Sequence, residues 1–221
     1  MGGSPVRWEL GVMTLLPARV RVPAVAAPVL LFLYGVLRLV DGLDGAHGPG
    51  LAWNLGHSLF FAGLVSFGVL IVGLRRLVPD RPPWVRRVAD VSVAAGLFGV
   101  GCFLWVTLCD LFPELDETAP LPAPLKIVGP LAFPLGLVAL LVIPATMRPR
   151  RLRADGPLLV LAGFAIFTAD LDLFPVGALF LLAGLAPLAR PALFNRRSTP
   201  GDATVSRTSG EPRSGDRTPR P

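Results

Sequence analysis

The sequence predicts an all-α integral membrane protein: a bundle of six transmembrane helices in three hairpins, with both termini in the cytoplasm. Three observations predict it. Hydrophobic residues make up 52% of the 221-residue chain and charged residues only 16%, where a soluble domain carries about a quarter. The apolar residues fall into runs of roughly 20, the length that crosses a bilayer's hydrocarbon core. The charges lie between those runs, and basic loops alternate with acidic ones along the chain.

The elements follow in order. Residues 1–22 form a cytoplasmic N-terminal segment bearing Arg7, Arg19 and Arg21, with Met13 as an alternative start. Arg19 and Arg21 ahead of Pro23–Val40 have the pattern of a signal peptide. No small-x-small cleavage site follows, and Arg38 and Asp41 occupy its place, so the run reads as an uncleaved first span. Five further runs complete a transmembrane domain over 23–190: Ala52–Leu74, Val88–Phe112, Ile127–Met147, Gly156–Ala169 and Phe174–Leu188. The last two are short, and only DLDLFP (170–175) separates them. From 195 onward the only apolar residues are Ala203 and Val205, so 191–221 is expected to be a disordered Arg/Ser/Pro-rich cytoplasmic tail.

Charge fixes the expected orientation. Nineteen of the 20 arginines fall before the first span, between the second and third, between the fourth and fifth, or after the sixth. The intervening turns hold Asp41, Asp44, Asp110, Glu114, Asp116, Glu117, Asp170 and Asp172, with Arg38 and Lys126 as their only cations. The positive-inside rule puts the arginine clusters in the cytoplasm and an acidic rim outside. Trp84 at the inner boundary and Trp53 and Trp105 toward the outer one fit aromatic anchoring. The pairs Ser92/Gly96 and Ala95/Gly99 give the third span a small-residue face for close helix packing.

Several functional classes lose support at this level. The net charge of +6 rests almost wholly on arginines that topology explains, so no nucleic-acid partner is expected. There is no GxSxG, HExxH or phosphate-loop motif, and with only His47 and His57 paired haem ligation is not expected. Cys102 and Cys109 lie seven residues apart on one helix, about 10 Å of rise and too far for a disulfide. The middle of every span lacks an ionisable group, which argues against an ion- or proton-coupled carrier. The stretch GLRRLVPDRPPWVRR (73–87) resembles a loop motif of major facilitator transporters through Asp80, Arg81, Arg86 and Arg87. It covers about fifteen residues, its DR-to-RR spacing is longer and the intervening Gly is absent, so no function is carried across.

The candidate site residues all sit toward the acidic side. Asp41, Asp44 and His47 recur at intervals of three, which on a helix would offer a divalent metal oxygen and imidazole ligands. Gly42, Gly45, Gly48 and Gly50 favour a loop instead, so no metal or other cofactor is expected. Arg38 lies just inside the outer end of the first span, where it must snorkel or find a partner. Each arm of the last hairpin reaches only about 27–29 Å, which holds Asp170 and Asp172 near the outer boundary at the depth of Arg38. A pair between Arg38 and Asp170 or Asp172 is therefore expected alongside separate snorkelling, and Arg38→Leu is expected to lower folded yield. In CDLFPELDE (109–117) and DLDLFP, Pro113 and Pro175 are expected to end or kink the preceding span. The DLFP echo, with the GLxxL endings of the second and sixth spans, is the only hint of an internal repeat.

Three functional readings remain open. One is a non-enzymatic accessory or scaffold protein of a bacterial plasma membrane, whose partners are the lipid bilayer and other membrane proteins or a second copy. Another is a transporter or channel component with an acidic outer rim and a path lined by Tyr34, Ser66, Ser92, Thr107 and Thr168. The last is a membrane enzyme with an outer-interface site built from Asp41, Asp44, His47, His57 and the acids of 110–117.

Overall fold

The computed structural model describes residues 18–44, 48, 50–78, 82–146 and 155–189. Most of these are helical, with no strand among them. The helices are α1 (Ala18–Asp41), α2 (Leu51–Arg75), α3 (Pro83–Leu111), α4 (Pro113–Thr118), α5 (Ala123–Thr146), α6 (Gly156–Ala169) and α7 (Phe174–Ala189). Single 3₁₀ turns follow α1 at Gly42–Asp44 and precede α7 at Leu171–Leu173. Five of these elements are long and apolar enough to cross a membrane: α1, α2, α3, α5, and α7 with its leading turn. At 14 residues, α6 is shorter.

Each boundary has a local cause. Pro83 opens α3 at its first position, where a missing N–H costs nothing. The third span ends at Leu111 because Phe112, ahead of Pro113, is forced out of the helical region at φ −131°, ψ 85°. Pro113 then starts α4, a six-residue helix absent from the expected element list, with Glu114 and Asp116 favourably placed in its first turn. Pro175 behaves differently from expectation. Phe174 before it is helical, and α6 has already ended at Asp170, which is extended at φ −157°, ψ 124°. The break is made by Asp170, whose Oδ1 accepts the Asp172 backbone N–H at 2.8 Å, while Pro175 sits harmlessly in the first turn of α7. Beyond α1, the chain tightens into a single 3₁₀ turn at Gly42–Asp44, and the rest of the glycine-rich stretch before α2 lies largely outside the described residues.

The helices pack as a closed ring in the order α1, α2, α3, α5, α6, α7 and back to α1, with α2 touching α5 across the middle. Phe67 of α2, Phe133 of α5 and Phe164 of α6 fill that middle, with ring centroids 5.2 Å apart for Phe67–Phe133 and 5.1 Å for Phe133–Phe164. Leu70, Ile71, Leu137, Leu140 and Leu181 are fully buried around them. Outward faces are apolar instead of polar, with Leu131, Leu135, Leu158 and Val91 all exposed. A soluble protein does not leave that much contiguous apolar surface to water.

Glycine sets the tightest seam. A Cβ at Gly136 of α5 would meet the backbone N of Gly96 and O of Ser92, both at 2.5 Å, and one at Gly99 would strike Phe133 N. The small-residue face of the third span therefore packs directly on α5, close enough for dispersion between backbones to hold the pair. Gly101 points the other way and meets nothing within 4 Å. Gly136→Leu is expected to cost about 2–3 kcal/mol or more by overpacking, whereas Gly101→Leu should leave stability nearly unchanged. Thermal unfolding of both variants in one detergent checks the contrast.

Candidate functional site

Polar and charged groups collect where α1 ends, α2 begins, α3 ends and α7 begins. Tyr34 and Arg38 are four residues apart on α1 and so share a face. Trp53 and His57 do the same at the start of α2. The end of α3 supplies Asp110, and the turn before α7 supplies Asp172.

Arg38 meets Asp172. Its Nε lies 3.7 Å from Asp172 Oδ1, and its side chain is 19% exposed against 61% for the carboxylate. That separation is too long for a hydrogen bond, and the buried Nε has no other partner. The guanidinium also lies close enough to the Tyr34 hydroxyl to interact with it. Of the two aspartates expected at this depth, Asp172 faces Arg38 while Asp170 spends its carboxylate on the turn.

The second tie joins α2 to α3. Buried His57 places Nδ1 2.9 Å from the Trp53 carbonyl one turn back. A carbonyl only accepts, so Nδ1 is the nitrogen bearing hydrogen, and Nε2 faces Asp110 Oδ2 at 3.7 Å. That contact is attractive when the imidazole also carries a proton on Nε2. The Trp53 indole N–H donates to the Asp110 backbone carbonyl at 3.3 Å, fixing the two helix ends side by side. Tyr34 packs edge-on against His57 at 5.6 Å and against Phe174 at 5.0 Å, joining the two ties.

The other predicted residues lie around this cluster. Asp41 Oδ2 accepts the Gly48 N–H at 3.3 Å. His47 and the side chain of Asp44 lie outside the described residues, as do Asp80 and Arg81 of the transporter-like loop and the tail from 191. Among the described residues no three His, Cys, Asp or Glu side chains converge to hold a metal. Asp116 lies 3.8 Å from Lys126 with both half exposed, a tie between α4 and α5 worth under about 1 kcal/mol. Glu114 and Glu117 are exposed on α4. Trp105 donates its indole N–H to the Ala119 carbonyl at 3.1 Å. Cys102 and Cys109 are free and buried. The cleft between Tyr34, Arg38, Asp41, Trp53 and His57 has room for about one water molecule.

The sequence grouped His57 with the acids of 110–117 at the outer interface and put Trp53 at the same boundary, but it did not single out Asp110 as the partner, and it placed Tyr34 on a mid-span path. The available signal was an aromatic residue four positions before a basic one at both facing ends of the first hairpin. No known protein family, curated protein or solved structure matches the chain.

Burial redistributes the expected cost of breaking the Arg38 pair. Removing Arg38 leaves Asp172 largely solvated, whereas removing the Asp172 charge leaves a mostly buried guanidinium without its counter-charge. Asp172→Asn is therefore expected to destabilise by about 1–3 kcal/mol, and Arg38→Leu by less. In the double variant much of the Asp172→Asn loss should be recovered. Chemical or thermal unfolding of the three variants in detergent measures this order.

Proposed function

We propose that the chain is a multi-pass protein of a bacterial plasma membrane, crossing it six times with both termini cytoplasmic and the acidic turns outside. Its role is that of a non-enzymatic accessory or scaffold protein that packs against lipid and other membrane proteins. The observation that carries this reading is the centre of the helix ring, which among the described residues is filled by Phe67, Phe133 and Phe164. Of the five hydroxyls expected to line a path there, four are used within their own helices, and that of Tyr34 lies beside Arg38. Ser66, Ser92, Thr107 and Thr168 each donate to the carbonyl four residues back, at 2.7–3.0 Å. The one-water cleft beside His57 is too small for an organic substrate.

The orientation is supported by the confinement of 19 of 20 arginines to alternate loops. Cysteines introduced at Glu117 and Ser206 test it. Glu117→Cys should react with an impermeant maleimide on intact cells and Ser206→Cys only after lysis; the opposite pattern overturns the orientation. For the role itself, protein purified in mild detergent is expected by mass spectrometry to carry lipid or a membrane-protein partner. In sealed vesicles it should support no gradient-driven flux. Such flux would move the assignment to transport, and a stoichiometric metal to an interface enzyme.

A further inference from the structure

We infer that the protein has two walls of different apolar height and holds a locally thinned bilayer against the shorter one. The inference rests on the membrane reading above. Its basis is the distance between the charges that bound each helix, combined with the order in which the ring sets those helices side by side.

On α6, Asp155 and Asp170 are 15 residues apart, about 22 Å of helix. On α1, Arg21 and Arg38 are 17 residues apart, about 26 Å. Contacts at both ends level α7 with α1. Arg21 Nε donates to the Ala189 carbonyl at 3.3 Å at one end, and Arg38 faces Asp172 at 3.7 Å at the other. The α7 interval from Asp172 to Ala189 is also 17 residues.

Two of the remaining helices, α3 and α5, are taller. Asp90 and Asp110 on α3 are 20 residues apart, about 30 Å. From Lys126 to the end of α5 at Thr146 there is no charge, again about 30 Å. On α2, His57 stands beside Asp110 and Arg75 beside Asp90, and the 18 residues between His57 and Arg75 rise about 27 Å.

The ring groups these helices by height. It places α6, α7, α1 and α2 consecutively on one side and the taller α3 and α5 side by side on the other. A typical hydrocarbon core of about 30 Å therefore matches one wall and exceeds the other by about 3–8 Å. Long basic side chains ordinarily relieve such mismatch by snorkelling outward. Here Arg21 and Arg38 are engaged by α7, and Asp155 and Asp170 are too short to reach. The exposed face of the short wall is apolar, with Leu158, Leu161 and Leu179 outward, so its occupant is acyl chain. Lipid next to a short span thins to meet it.

Spin labels at two lipid-facing positions test this. Leu161 and Leu135 lie near the middle of the α6 and α5 intervals, and at 44% and 63% exposure neither packs in the interior. Leu161→Cys and Leu135→Cys, labelled with a nitroxide in 18-carbon phosphatidylcholine vesicles, are compared by oxygen against nickel-chelate accessibility. Both should prefer oxygen, with the Leu161 label at about two-thirds the depth of the Leu135 label. Equal depths overturn the inference, as does an oxygen-preferring Leu135 label beside a Leu161 label with no preference. If neither label prefers oxygen, the membrane reading itself fails.

Discussion

A ring of helices with apolar outer faces must close around a centre that contains no unsatisfied polar group. That constraint governs the rest of this structure. Hydrophobic burial contributes little between helices already in lipid, so close packing must hold the ring. The aromatic trio of α2, α5 and α6 fills the centre. Glycines at the α3–α5 contact bring backbones together so that the circle can contract onto that filling. A wider circle would open a void beside Phe133, and each void forfeits dispersion contacts outright. The inward hydroxyls conform to the same rule by bonding their own helices.

Polarity is thereby expelled to the helix ends, and the two ends handle it differently. At one end the ties are short and direct: Arg75 Nε donates to Asp90 Oδ1 at 2.6 Å, and Arg21 reaches the last carbonyl of α7. At the other, carboxylates outnumber cations and the ties are longer, at 3.7–3.8 Å. The exposed Asp116–Lys126 pair contributes little energy, and all three ties set the relative level of neighbouring helices. The level set by Arg21 and Arg38 is what makes the α1–α7 wall short, which links end electrostatics to the height of the apolar belt.

The positions of the long helices were legible because apolar periodicity and flanking charge are local signals. All five reach within a few residues of the expected runs, from Ala18–Asp41 to the helix ending at Ala189. The small-residue face at Ser92, Gly96 and Gly99 was legible too, though not its partner on α5. What sequence did not disclose depended on three-dimensional competition. Asp170 and Asp172 are equivalent on paper, and only the turn decides which carboxylate is spent on a backbone N–H. His57 could be assigned to the same boundary as the acids of 110–117, but which of those acids it meets depends on how α2 and α3 pack. The proline reading succeeded at Pro113 and failed at Pro175, since the same residue type both ends one helix and begins the next.

The two DLFP stretches therefore share letters but not local structure, and their likeness lies in what they reach. The first delivers Asp110 to His57, and the second delivers Asp172 to Arg38. Both targets belong to the α1–α2 hairpin, and each stands one helical turn after an aromatic residue that helps enclose it: Trp53 before His57, Tyr34 before Arg38. The first hairpin thus presents two nitrogen-bearing side chains at one level, and each of the other hairpins supplies one carboxylate to it. An acid placed at a helix boundary can satisfy that requirement without entering the apolar region, whereas one placed a turn deeper would have to be buried with its partner at a cost the pair does not recover. The carboxylates sit where a charge can hold three hairpins in register and still remain half in contact with solvent.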